Sequence, residues 1–331
     1  MKVNNFFSMK RIIVQFVGIT LLFAVSFGVV ADPAADGWIA LQKSALAARQ
    51  LGYRGVFVYQ SGESSSAVQI THMYDGHKEY THSIVMDGQK KELLNEGGDL
   101  IIYNPKKEKV MVEKRHSKNI FPGLLPEDIS LIKTNYQVRL NGSERTAGRD
   151  AKVIMLEPKD KYRYGYKLLT DSDYGLLLKA ITLNDRNEML EQIGFTQLDM
   201  LELGNLDWFQ PSNTFGKSLE MEQTRFTKDS PTLTNWTISN LPAGFIKIDQ
   251  MRRVVNGKTT NTTQVIYSDG LAYVSLFIEP LSKGANGKMG HTSVGLTNFY
   301  ANVQDGYQLM AVGEVPKDTV TTLVKGVSFK K

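Results

Sequence analysis

The side chains best suited to acid–base or metal chemistry near neutral pH are five histidines, His72, His77, His82, His116 and His291. None stands in H-E-x-x-H or in another spacing that would put two imidazoles on one metal. His72 and His82 fall on alternating stretches, where a histidine is ordinarily satisfied in the fold or exposed. No G-x-S-x-G offers a strained serine nucleophile. The glycines of Gly284–Gly287 lead into Lys288 and Met289, not into the Lys-Ser/Thr pair of a phosphate-binding loop. Asp171 and Asp173 are spaced like turn residues, not like a buried acid–base pair. With no cysteine in the chain, thiolate metal sites and disulfide frameworks are excluded as well. The sequence therefore reads as a protein that binds, not as an enzyme, with no catalytic residue, metal or cofactor expected.

Binding requires surfaces, and the clearest of the elements that would supply them is Ile266–Pro280. Ser268-Asp269-Gly270 makes a turn, and the run after it alternates, with Leu271, Tyr273, Ser275, Phe277 and Glu279 on one face and Ala272, Val274, Leu276 and Ile278 on the other. A period of two with one apolar face predicts a half-buried strand, and Asp-Gly supplies the positive φ of a tight hairpin.

The chain opens with Lys2, Lys10 and Arg11, continues through the apolar run Ile12–Val30, and reaches a small-residue cleavage site at Val29-Val30-Ala31. That pattern predicts an export signal over residues 1–31, cleaved near Ala31. The competing reading is an uncleaved anchor, which Gln15, Gly18, Thr20, Ser26 and Gly28 weaken. Formal charge is +5, from 39 basic and 34 acidic residues, and loss of the leader reduces it to +2. So small an excess argues against nucleic acid as a partner. At 331 residues and 42% hydrophobic, the chain can build two cores.

From Ala34 to Gln50 the apolar spacing predicts an amphipathic helix. Short alternating runs then carry the chain to about residue 200, separated by turn chemistry at Asp75-Gly76, Asp87-Gly88, Gly97-Gly98, Asn141-Gly142 and Asp173-Tyr174-Gly175. This predicts an antiparallel meander long enough to curl, with a helix across its open side. Periodicity does not decide whether the enclosed volume is filled by side chains or left for a ligand. The most basic stretch, from Asn104 to Asn119, would either meet a polyanion or stand as a solvated hairpin guarding an edge strand. Between 207 and 234 the period dissolves into a linker, and from 235 to 331 strands return, closed by a helix over Thr319–Lys325.

Several stretches resemble the RseB/MucB family of sigma-E factor regulatory proteins: Leu41–Lys43, Ala48–Gln50, Tyr53–Tyr59, Arg145–Arg149, Arg163–Tyr166, Gly175–Lys179, Trp236–Ile238, Leu241–Phe245, the hairpin from Ser268 to Pro280, and Val312–Pro316. The resemblance implies an α+β protein. Its domain over 32–206 would be an antiparallel half-barrel with covering helices, similar to lipoprotein carriers of the LolA/LolB type, followed by a smaller α+β domain. It implies an apolar lining drawn from Trp38, Leu41, Val56, Val58, Val68, Ile70, Ile84, Tyr164 and Tyr166, residues that equally suit a packed core. It also implies a periplasmic negative regulator that binds the periplasmic domain of a membrane-bound anti-sigma factor (RseA/MucA-like) and shields it from site-one proteolysis. Lipid or lipopolysaccharide acyl chains would release that partner. Tyr267, Ser268, Asp269 and Gly270, at the family-matching turn, are candidates for partner contact or serve folding alone. A periplasmic lipid or lipoprotein carrier is the alternative function, and a homo-oligomer is compatible with either.

Overall fold

The computed structural model describes residues 33–330, apart from 89–90, 98, 105–108, 115–118, 203, 205, 211–219, 224–226, 229–235, 255–260 and 283. The expected leader and half of the basic stretch, 105–108 and 115–118, lie outside these residues.

The first helix, α1 (Pro33–Gln50), carries Asp36 in its first turn and Arg49 in its last, signs that complement the helix dipole. Leu41, Ala45 and Ala48 form its buried stripe, while Ile39 faces solvent. Six strands follow, β1 (Gly52–Ser61), β2 (Ser64–Tyr74), β3 (Glu79–Val85), β4 (Lys91–Glu96), β5 (Asp99–Asn104) and β6 (Lys109–Lys114). After the short helix α2 (Ser130–Asn135) come β7 (Tyr136–Thr146), β8 (Arg149–Pro158), β9 (Gly165–Asp171), β10 (Leu177–Leu183) and β11 (Met189–Leu201). One curled sheet holds them all in the order β6-β5-β4-β3-β2-β1-β11-β10-β9-β8-β7. Two meanders thus run outward in opposite directions from the β1–β11 pair, and α1 lies against β7, β8, β10 and β2.

Asn141-Gly142 departs from its expected role as a turn. Gly142 does adopt positive φ, +77°, but it sits inside β7 where the register to β8 slips between Leu140 and Ser143. The glycine serves a β-bulge, and the turn is made by Ala147 and Gly148, both at positive φ. The aspartate of the next turn behaves as expected: Asp171 Oδ1 accepts the N–H groups of Asp173 and Tyr174 at 3.0 and 2.8 Å.

The described parts of 207–234 run along both sheets. Phe209 packs edge-on against Tyr80, β12 (Glu220–Gln223) adds to β6 in parallel, and β13 (Thr227–Lys228) adds to the second sheet. That sheet contains β15 (Ile246–Val254), β16 (Asn261–Ser268), β17 (Tyr273–Pro280), β18 (Gly290–Val294), β19 (Thr297–Gln304) and β20 (Tyr307–Gly313), in the order β13-β15-β16-β17-β20-β19-β18. Helix α3 (Lys317–Lys325) packs Val320, Leu323 and Val324 onto it, and β14 (Trp236–Ile238) pairs with β21 (Val327–Phe329). The hairpin forms as read: Ala272, Val274, Leu276 and Ile278 are buried, and Gly270 has φ +105°. The whole is an open antiparallel sheet covered by helices, joined to a smaller α+β unit. No helix among the described residues is long and apolar enough to cross a membrane.

Candidate functional site

Among the described residues three cavities lie on the face of the curled sheet or between the two sheets, and another, of about 320 Å³, lies beside Asp36, Ile39 and Lys43 of α1. The first, of about 340 Å³, opens on the concave face of β1–β4 and is lined by Phe57, Val68, Ile70, Val85, Leu93 and Phe121 among others. Partly exposed Arg49 and Glu79 also line it, with Arg49 Nε 3.9 Å from the Glu79 carboxylate. Arg49 donates as well to the carbonyls of Ala45 and Leu125, which ties α1 to the segment that crosses the open side of the sheet. The second cavity, of about 330 Å³, is lined by Tyr59, Leu168, Ala180 and Ile193 from the curled sheet and by Leu271, Leu296 and Glu314 from the second unit. Asn119, Ile120 and Phe121 line both cavities. Phe121 is held by ring contacts of 5.1 Å to both Phe57 and Phe195. Tyr59 donates to Glu191 at 2.5 Å, and burial with that acceptor pushes its hydroxyl up to about 12.

The third cavity is a polar cleft of about 830 Å³ between the two units, with Lys161, Asp185, Lys317 and Asp318 among its lining residues. At its floor lies a buried joint. Arg163 and Asp269 have no solvent-exposed side-chain surface and are 3.1 Å apart. Asp269 Oδ2 also accepts the Tyr136 hydroxyl at 3.1 Å, and its Oδ1 accepts the N–H groups of Leu271 and Ala272. Burial raises the Asp269 carboxyl, against the lowering effect of those donors and of Arg163. Arg163 further donates to Asp160 and to the Ala243 carbonyl, and Asn135 donates to the carbonyls of Gly244 and Asp269. Thr319 donates to the Tyr162 carbonyl at 2.6 Å, and Asn298 to the Tyr164 hydroxyl at 3.3 Å.

The expected lining residues divide among these places. Val68 and Ile70 line the first cavity, Tyr166 the second and Tyr164 the cleft. Leu41 is fully buried in the main core, with Trp38 packed against that core. Val56, Val58 and Ile84 are a correction, because register puts them on the opposite face. Phe57 pairs with Val68 and Val68 with Val85, all three lining the cavity, so Val56 and Ile84, one residue out of step, point away.

Tyr267, Ser268, Asp269 and Gly270 are buried, and the contacts of Asp269 and Gly270 are to this chain's own Tyr136, Arg163 and α2. As they stand they present no surface to a second molecule. Sequence reasoning missed Arg163, Tyr136 and Asn135 as their partners. The signal that was present is that Arg163–Tyr166 and Ser268–Pro280, two stretches that carried the resemblance, meet at one joint. Among the described residues no three of His, Cys, Asp or Glu gather where they could hold a metal.

Comparison with known proteins matches these two units to two family models, the MucB/RseB N-terminal domain over residues 37–228 and the MucB/RseB C-terminal domain over 230–328. The sigma factor AlgU regulatory protein MucB of Pseudomonas aeruginosa is 30% identical over 305 residues, 90% of this chain and 93% of that protein. The sigma-E factor regulatory protein RseB of Haemophilus influenzae is 24% identical over 326 residues, 97% of this chain and 100% of that protein. Among solved structures, MucB in complex with MucA(peri) superposes with a TM-score of 0.71 at 27% identity, covering 90% of this chain and 99% of that one. The MucA/MucB complex of P. aeruginosa gives 0.73, also at 27% identity, over 89% and 99%. With both halves matched in order across nearly the whole described chain, this protein belongs to the MucB/RseB family.

Proposed function

We propose that this protein is a periplasmic negative regulator of an envelope-stress sigma factor, exported with cleavage near Ala31. It binds the periplasmic part of a membrane-bound anti-sigma factor, as MucB does MucA(peri), and shields it from site-one proteolysis. Acyl chains of lipid or lipopolysaccharide release it. The protein works by binding alone, with no bond made or broken.

The observation that carries this reading is the position of Leu296, which lines both the apolar second cavity and the polar cleft between the units. An acyl chain in the cavity and a peptide segment in the cleft would press on the same residue from two sides. A ligand shifts an equilibrium only by its differential affinity for the two states, and a shared wall is one source of that difference. The energies suffice. At about 0.8 kcal/mol per buried methylene, some ten methylenes match the roughly 8 kcal/mol of a micromolar partner. A lipid carrier would need only the curled sheet, whereas here Leu271, Leu296 and Glu314 of the second unit complete a cavity wall.

The test is to immobilise the periplasmic segment of the cognate anti-sigma factor, load this protein on it, and titrate in lipopolysaccharide or a lipidated peptide. Capture followed by dose-dependent release is expected. No capture, or a partner retained at saturating lipid, would overturn the reading.

A further inference from the structure

The first cavity has a largely apolar wall, and besides Arg49, Glu79, Ser83 and Asn119 it carries a row of polar side chains across three adjacent strands. His72 on β2 pairs in register with Thr81 on β3, and Thr81 with Asn95 on β4, and all three line the cavity. His72 is 3% exposed and Asn95 7%. His72 stacks on Tyr53 at 4.7 Å, and its Nδ1 lies 2.8 Å from the Leu51 carbonyl. A carbonyl only accepts, so Nδ1 carries the proton and Nε2 presents a lone pair. That Nε2 and the Asn95 Oδ1 are buried without a protein hydrogen-bond partner. Buried polar atoms are nearly always satisfied, so two unsatisfied acceptors in one cavity call for donors from outside the chain.

We infer that the first cavity selects acyl chains that carry a hydroxyl group, the hydroxyl donating to His72 or Asn95 while the chain packs on Phe57, Val68, Ile70 and Leu93. This rests on the proposed acyl binding, extends it from the second cavity to the first, which share Asn119, Ile120 and Phe121 as a wall, and adds to it a preference within that ligand class. Strands stand about 4.8 Å apart, so His72 and Asn95 lie roughly 10 Å from each other, with the Thr81 hydroxyl between them. A single hydroxyl therefore meets one acceptor or the other according to its place on the chain. An unsubstituted chain packed against the row leaves both acceptors bare, whereas a hydroxyl gives one of them a donor. Sites that hydrogen-bond a ligand hydroxyl discriminate against the analogue without it more strongly than apolar pockets discriminate by size.

The experiment is displacement of a fluorescent fatty-acid probe from the full chain by lauric acid, by 3-hydroxylauric acid and by ω-hydroxylauric acid. At least one hydroxylated chain is expected to displace the probe at about tenfold lower concentration than lauric acid. The substitutions His72→Phe, which keeps a ring on Tyr53, and Asn95→Leu should together bring that ratio to about one. Each is made singly as well, so that one poorly folding variant leaves the other to be read. Equal displacement by all three acids in the wild type, or a ratio unchanged in the variants, overturns the preference while acyl binding itself stands. A probe that does not bind at all overturns both.

Discussion

His72 carries its burial as a dependence of stability on pH. Desolvation, with a smaller contribution from Arg49, lowers its pKa from 6.5 to about 4, against the raising effect of the Leu51 carbonyl. The unfolded chain therefore binds a proton between pH 6.5 and 4 that the folded chain refuses. Stability from this group is full above the unfolded value and falls as pH drops through the window, by about 3 kcal/mol at its foot. Asp269 works in the other direction, since a carboxyl raised by burial favours the fold as pH falls. The contribution of His72 is isolated by comparing wild type with His72→Phe. Urea midpoints at pH 7.5 and 4.5 should show the wild type losing most of that increment and the variant losing little of it. Equal losses in the two proteins would show that the imidazole is not kept neutral by its surroundings. The same residue scale sets what a sequence can reveal of the cavity. In Val56–Tyr59 apolar side chains alternate with apolar side chains, so these four residues by themselves do not say that Phe57 faces inward and Val56 and Val58 outward. Only the pairing of β1 with β2 decides it.

At the scale of elements, the legible pieces were those with a single strong period. Helix α1, helix α3 and strand β17 each bury one clear stripe, and each forms where its pattern places it. Strand β11 is different: Glu191, Gln192, Thr196, Gln197 and Asp199 break its alternation, and it is held by pairing to both β1 and β10 rather than by one buried face. The hairpin turn also has a duty that its own sequence does not express. A Cβ built on Gly270 would lie 3.1 Å from Ile132 Cγ1 and 3.2 Å from Leu131 Cβ, both in α2, at a backbone φ of +105°. Gly284 also has positive φ, +79°, but a Cβ there meets nothing within 4 Å. Gly284→Ala should therefore cost only the local strain, while Gly270→Ala should cost at least about 1 kcal/mol more by crowding α2. Urea unfolding of the two variants measures the difference. Equal costs would mean that α2 yields freely and that the turn is not a packed contact.

At the scale of the whole molecule, the two units are joined by chemistry that leaves no period in the sequence. Arg163 and Asp269 are 106 residues apart, and each taken alone reads as a turn or loop residue. Brought together they form a buried ion pair with Tyr136, at the floor of the cleft. Replacing a buried pair as a whole can be neutral, but removing one partner strands the other and costs about 3–5 kcal/mol. Arg163→Met leaves Asp269 without its cation. Asp269→Asn is milder, because an amide oxygen still accepts from Leu271 and Ala272, and Arg163 keeps Asp160. Calorimetry of the wild type should give one cooperative transition, since separating the units exposes this pair. In Arg163→Met the transition should split in two, with the smaller unit melting first, and Asp269→Asn should fall between. The functional consequence follows from the walls. The first cavity is lined only by residues 48–123, so its acyl binding should survive Arg163→Met. The second cavity and the cleft both need Leu296 in place, so capture of the anti-sigma segment should be lost. A variant that still melts in one step and still captures its partner would show that the joint fastens the two units without coupling what they bind.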